Sequence, residues 1–418
     1  MGAYFNPDDS PGQNIGPVTA KMRYRILDVL RGLALLGICL ANFPEFSLYT
    51  FQPREIIGSM PSAGIDSITK WAQYLLIDGK FYTIFSILFG IGFSIILRNV
   101  NSRGGNGYAV FYRRMFGLAF IGLLHLMLLW SGDILLLYVI AGMLLPLFRK
   151  LSDRGLLTWF VALTLCPIVI ECFCAATGWR PEQWAYERWW AQCAVYGITE
   201  ENFGTWLRDA RDYAGVSLFL MQGAYERLWE FIGGHRLPKV LGLFILGYWL
   251  GRSRVYARLP ELAPRIKKIT LWCVALGLPL SAVYAFDSMS GHPFGRVAAA
   301  AVYAVSVVPL GVGYMGLITL LHLKSERWGI WRWLAAPGRM ALTNYIMQSV
   351  FGILIFYGIG FALATSMGLA ATEAVAIAVV IAETVISSIW MKFFSYGPIE
   401  WVWRMWTYGR VFRLRKTA

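Results

Sequence analysis

The chain has 418 residues, 57% of them hydrophobic and only 15% charged, with a mean hydropathy of +0.53. Soluble domains run at roughly 45–50% apolar and roughly 25% charged, and here the apolar residues gather into repeated blocks near bilayer length. A soluble enzyme, a disordered chain and a nucleic-acid binder are thereby excluded. The net charge of +14 lies mostly in short segments between apolar blocks, as where cytoplasmic loops meet anionic lipid, so no nucleic-acid partner is expected.

In chain order, residues 1–20 are rich in Gly, Pro, Asn and Asp and lack an apolar core, which reads as a disordered cytoplasmic tail and not a cleavable signal peptide. Residues 21–397 read as an all-α polytopic bundle of about ten transmembrane helices. The predicted spans are 26–43, 78–97, 113–130, 133–149, 155–176, 237–251, 266–286, 297–322, 338–357 and 371–394. With both termini in the cytoplasm, the cytoplasmic segments hold 26 Lys and Arg against 10 outside, in keeping with the positive-inside rule. Residues 68–77 and 398–407 carry tryptophans suited to the headgroup layer, and 398–418 reads as a basic amphipathic cytoplasmic tail.

Between the fifth and sixth spans lies the one long external loop, 178–236. It is dense in Trp and Tyr, and its charges recur at helical spacing, so short amphipathic helices are expected there. It reads as a cap on the bilayer surface, or as a lid or acceptor platform whose aromatic rings stack on sugars or lipid headgroups. No sequence similarity is evident between 26–176 and 237–394, so an inverted repeat is not indicated.

Charged groups within hydrocarbon cost at least about 2.5 kcal/mol each, which makes them candidates for function. Asp28 and Arg31 stand at i,i+3 on one face of the first span, either as a structural clasp or as a receptor for an anionic ligand. Asn42 ends that span. Asp78-Gly79-Lys80 opens the second, where Lys80 reads as a snorkelling cation beside a solvated Asp. His125 lies about 7–8 Å below the turn that follows the third span, at 1.5 Å per residue, and a neutral imidazole there suits a general base or acyl relay. Asp133 begins the next helix across a tight Trp-Ser-Gly turn and reads as an N-cap. If the hairpin folds back, it becomes the partner that orients His125. Glu383, near the middle of the tenth span, is either protonated or paired with a cation such as Arg31. The ninth span opens Pro337-Gly338-Arg339, with Pro337 suited to a first helical turn, and carries a polar band of Thr343, Asn344, Gln348 and Ser349 that reads as a site lining. No Walker loop, metal cluster, HExxH or GxSxG pattern occurs, and no metal is expected.

Three stretches resemble the YeiB-like bacterial inner-membrane proteins, a family with a domain of unknown function. They are Arg25-Ile-Leu-Asp28-Val-Leu-Arg31-Gly32, then His125 through Asp133 to Tyr138, and Gly338-Arg339-Met-Ala-Leu-Thr-Asn344-Tyr345 with Gly397-Pro398-Ile-Glu400-Trp401. The first span also resembles, more distantly, transmembrane acyltransferases of the heparan-α-glucosaminide N-acetyltransferase kind, which show an Asp-x-x-Arg-Gly opening with an Asn eleven residues after the Arg, here Asp28, Arg31, Gly32 and Asn42. Those enzymes place a histidine in the loop after the first span; residues 43–77 contain none, so either His125 fills that role from another helix or this branch has lost that chemistry.

The resemblance implies acyl transfer from cytoplasmic acyl-CoA, such as acetyl-CoA, to a hydroxyl or amine on a sugar or lipid-linked acceptor outside. Arg31, Arg339 and the basic loops 98–114 and 252–268 would then meet the CoA phosphates. Asn344 and Gln348 would line the track of the pantetheine arm, and His125 with Asp133 would do the chemistry. The alternative is a proton-coupled transporter or flippase that switches on Glu383 or on Asp28–Arg31; a non-catalytic scaffold is the third reading. The expected location is the bacterial inner membrane, with the bilayer as partner and a homodimer left open.

Overall fold

The computed structural model describes residues 24–416; the tail expected over 1–20 lies outside the described residues. Every regular element among them is helical. In order these are α1 (Arg25–Phe46), α2 (Arg54–Ser59), α3 (Ala63–Leu76), α4 (Lys80–Asn101), α5 (Gly107–Leu128), α6 (Leu135–Leu144), α7 (Asp153–Thr177), α8 (Glu182–Ala194), α9 (Phe203–Asp209), α10 (Tyr213–Leu220), α11 (Gly223–Gly233), α12 (Arg236–Arg252), α13 (Leu259–Met289), α14 (Gly295–Lys324), α15 (Ile330–Arg339), α16 (Ala341–Phe356), α17 (Leu369–Phe393) and α18 (Pro398–Tyr408).

Seven helical stretches among the described residues are long and apolar enough to cross a membrane, or eight if the bent pair α15–α16 counts as one span. Two of the ten expected spans are shorter than that measure. The fourth predicted span, 133–149, is the ten-residue α6 followed by a single 3-10 turn. The sixth is α12, 17 residues long and packed on several sides.

Glycine explains how α12 enters the interior. Cβ atoms added at Gly247 and Gly90 would lie 2.0 Å from the Ile87 carbonyl oxygen and 2.1 Å from that of Phe244, so α12 and α4 meet backbone to backbone, as small-residue faces allow in membranes. α13 and α14 form a pair whose outer faces expose Leu271, Trp272 and Leu276, the side chains expected against lipid.

The second close crossing joins α1 to α15. A Cβ at Gly32 would come within 1.9 Å of the Leu334 carbonyl oxygen, and one at Gly338 within 1.8 Å of that of Asp28. Pro337 sits inside α15, not at a span's first turn. The chain breaks at Met340 and turns through 82° into α16. The freed N-terminus of α16 is capped from a distance: the Glu400 carboxylate accepts from Leu342 N (2.6 Å), Thr343 N (3.1 Å) and Thr343 Oγ1 (2.5 Å). A carboxylate at a helix N-terminus satisfies orphan donors and meets the positive dipole end.

Glu400 belongs to α18, which is docked on α5: Trp403 Nε1 and Trp406 Nε1 donate to the carbonyls of Arg114 and Arg113 (2.8 and 2.9 Å). At the opposite end, α8 to α11 occupy the long loop and share an aromatic core with α1, where Trp189, Phe203 and Phe219 join Phe43 and Phe46. The molecule thus has a basic face, where Arg25, Arg332, Lys392 and Arg415 gather, and a cap face.

Candidate functional site

The turn after α5 places the first pair. Tyr138 N and Leu136 N mark the start of α6, and Asp133 caps it through Oδ2, which accepts from Leu136 N (2.8 Å). The other oxygen, Oδ1, lies 3.0 Å from His125 Nδ1. Both readings of Asp133 are therefore realised in one carboxylate, because the hairpin folds back over one turn. His125 Nε2 lies 2.8 Å from the Ser349 hydroxyl on α16. All three side chains are enclosed, with exposures of 2% or less.

Where Asp133 accepts from Nδ1–H, Nε2 is left to accept from the Ser349 hydroxyl, so that the three groups align from hydroxyl to carboxylate. Ordinary burial of a carboxylate in a membrane protein is costly unless its lone pairs are met; here the imidazole and a backbone N–H meet them. The Tyr345 ring lies 5.0 Å from the imidazole, and Ile134 N donates to its hydroxyl (3.3 Å).

Tyr345 and Ile134 also close the inner end of a cavity of about 190 Å³ that reaches toward the basic face. Arg31, Arg114, Arg339 and Arg404 lie along it, and Phe85, Phe89 and Phe93 form its body. Arg31 is positioned by Asp28, whose Oδ1 accepts from Nη1 at 2.8 Å, and Arg114 lies 3.5 Å from the Trp403 ring. Arg339 donates to the Ser395 carbonyl (3.3 Å) and lines as well a wider cleft with Arg25, Asp28, Arg332 and Arg415.

Several expected site residues lie elsewhere. Asn344 and Gln348 do not line the cavity. They project to α17, where Asn344 Nδ2 donates to Ser387 Oγ (2.9 Å) and Gln348 Nε2 to Glu383 Oε2 (2.9 Å). The rotation of α16 after its break turns Ala341, Leu342 and Tyr345 to the cavity instead. Glu383 is thus paired with Gln348, not with Arg31. Asn42 is half-buried near the cap end of α1 and is not among the cavity's lining residues. Lys80 does not snorkel: it is fully buried, donates to the Tyr74 carbonyl (2.5 Å) and sits 5.0 Å from the Tyr284 ring, while Asp78 accepts from the Tyr284 hydroxyl.

Arg114 and Arg404 were not singled out by themselves from sequence, and Tyr345 and Glu400 stood only in the stretches that carry the family resemblance. Ser349 stood in the polar band of the ninth span, and its distance of 224 residues from His125 gave no local signal of the pairing. The cap touches this centre too. Arg227 of α11 donates to the Ser131 carbonyl (2.5 Å) in the turn that carries Asp133, and Gly223 packs so closely that a Cβ would meet Ser131 Cβ at 2.6 Å. Beside it, burial pushes the Glu226 carboxyl up to about 7, against the pull of Arg227.

Comparison with known proteins agrees with the resemblance to the YeiB-like proteins. Residues 250–410 match the family described as protein of unknown function (DUF418). The chain is 28% identical to the uncharacterized protein YxaH of Bacillus subtilis (strain 168) over 94% of this chain and 96% of the relative. It is also 28% identical to the uncharacterized protein YeiB of Escherichia coli (strain K12), over 91% and 95%. An uncharacterized 39.9 kDa protein from the amylase 3′ region of Bacillus acidopullulyticus is 26% identical over 95% and 97%. No solved structure matches.

Proposed function

We propose that this chain, similar to YeiB and YxaH along nearly its whole length, is an acyl-CoA-dependent acyltransferase of the bacterial plasma membrane. The observation that carries the reading is the enclosed His125–Asp133 pair beside the inner end of an arginine-lined cavity. Acyl-CoA has a polyanionic nucleotide and a long, narrow pantetheine arm. The basic cleft and its arginines suit the phosphates, and the aromatic cavity suits the arm and the acyl group. The thioester would then stand at Tyr345 and Ile134, next to the imidazole.

The positive-inside rule gives the basic face to the cytoplasm, where acyl-CoA is found, and the cap face to the acceptor. A hydroxyl or amine on a sugar or lipid headgroup would approach beneath α8–α11, whose Trp and Tyr rings offer stacking surfaces. The Asp28-x-x-Arg31-Gly32 resemblance supports the same donor.

Reconstituted protein with acetyl-CoA and a mixed lipid and oligosaccharide acceptor pool should release free CoA in a reaction that His125→Ala, in protein shown to be folded, reduces by about 10²–10⁴-fold. An unchanged rate in that variant would remove His125 from the chemistry. One observation favours a second reading, proton-coupled transport: Glu383 is 4% exposed, and its Oε1 has no hydrogen-bond partner among the described residues. That reading requires solute uptake driven by a pH gradient and lost in Glu383→Gln.

A further inference from the structure

We propose that Ser349 takes the acyl group from the donor, so that transfer runs through a seryl ester in two steps. The inference deepens the acyltransferase reading and rests on it for the identity of the donor; the activated serine itself rests on geometry alone.

Both imidazole nitrogens of His125 are engaged, Nδ1 with Asp133 at 3.0 Å and Nε2 with Ser349 Oγ at 2.8 Å. The proton that His125 is placed to remove is therefore that of Ser349, not that of an incoming acceptor. Asp133 fixes the tautomer in which Nε2 is the base, as a serine nucleophile requires. Position supports the same role. Ser349 follows Tyr345 by four residues and so stands one turn further along the same face of α16, beyond the ring that closes the cavity. The proposal therefore requires the Tyr345 ring to swing aside for a thioester carbonyl to reach Oγ.

In the first step Ser349 Oγ attacks the thioester carbonyl carbon while its proton passes to His125 Nε2. The carbon–sulfur bond breaks, and the proton goes on to the leaving thiolate, giving free CoA. In the second step the acceptor oxygen or nitrogen attacks the ester carbon, His125 takes its proton and returns it to Oγ, and the acylated acceptor leaves. Donor and acceptor never need to occupy the centre together, which suits a site reached by the donor from the basic face and by the acceptor from the cap face.

Full-length protein in nanodiscs, mixed with radiolabelled acetyl-CoA and no acceptor and then acid-quenched, should gain one acetyl group, mapped to the peptide bearing Ser349. A fluorophosphonate, which reacts with base-activated serines whatever their substrate, should label the same residue. Both labels should vanish in Ser349→Ala and fall by about 10²–10⁴-fold in His125→Gln. Ser349→Cys should form a hydroxylamine-labile acetyl thioester, which separates loss of the nucleophile from loss of the fold. Wild-type acetyl transfer retained within about twofold in a folded Ser349→Ala would overturn the proposal and leave the acyltransferase reading standing. Fluorophosphonate labelling of Ser349 without any acetyl transfer would uphold the activated serine and overturn acetyl-CoA as its donor. Failure of both reagents on folded wild type would overturn the serine.

Discussion

At Asp133 one carboxylate does two jobs, and substitution can separate them. Asn at this position keeps an oxygen for Leu136 N but presents either an amide or the wrong hydrogen-bond polarity to His125 Nδ1. Asp133→Asn should therefore cost about 10²–10⁴ in transfer rate with little change in thermal stability. Asp133→Ala removes the cap as well and leaves buried donors unmet, which should lower stability by about 1–3 kcal/mol. Equal activity in Asp133→Asn and wild type would mean the pair is a structural tie only. The sequence made this pairing readable because the two residues are eight apart across a tight turn. Lys80 was misread for the opposite reason: whether a lysine at a helix start snorkels or turns inward depends on what other helices offer it, here the Tyr74 carbonyl and the Tyr284 ring.

The elements that matter most are those whose ends are broken or crossed closely. α16 owes its orientation to the 82° turn at Met340 and to the distant cap from Glu400. Glu400→Ala removes three hydrogen bonds to a buried helix start and should cost about 1–3 kcal/mol; thermal melting in detergent would measure it, and a melting temperature equal to wild type would contradict the capping role. Gly338→Ala must push α15 from α1, since its Cβ would fall 1.8 Å from the Asp28 carbonyl oxygen. Overpacking of this kind costs about 1–3 kcal/mol. It should also weaken acetyl-CoA binding by disturbing Asp28–Arg31, as titration of the variant would reveal. The apolar blocks themselves were legible from hydropathy, whereas the rotation of α16 was not. That rotation sends Asn344 and Gln348 to α17 and Tyr345 to the cavity, and it is set by a carboxylate some sixty residues away in sequence, which periodicity along one helix cannot report. The depth of α12 was hidden in the same way, because its glycine face acquires meaning only when the facing glycine of α4 is in place.

Across the whole molecule the arrangement is asymmetric: cations and the cavity's arginines on one face, an aromatic cap bonded to the turn of Asp133 on the other. The cap therefore communicates with the centre through Arg227 and Ser131, and its condition should be sensitive to pH. Glu226, outside the spans, has its carboxyl raised by burial from 4.5 to about 7. A raised carboxyl binds its proton more tightly in the folded state, so the stability it contributes is present at low pH and is lost as pH rises from about 4.5 through about 7. Glu226→Gln should flatten the fall in melting temperature across that window; an unaltered pH profile would show that the carboxyl is not held in this environment. The cap's helical pieces and aromatic content were legible from sequence, but its hydrogen bond to the Ser131 turn links residues 96 positions apart and had no local signature.

The most direct measurement is calorimetric titration of acetyl-CoA into the purified full-length protein in nanodiscs, beside Arg31→Ala and Arg339→Ala. Saturable binding that each substitution weakens by about tenfold or more, as expected for loss of a charge-assisted contact of about 1.5–3 kcal/mol, is the predicted result. Absence of binding to protein shown to be folded, or binding untouched by both substitutions, would contradict a CoA site on the basic face.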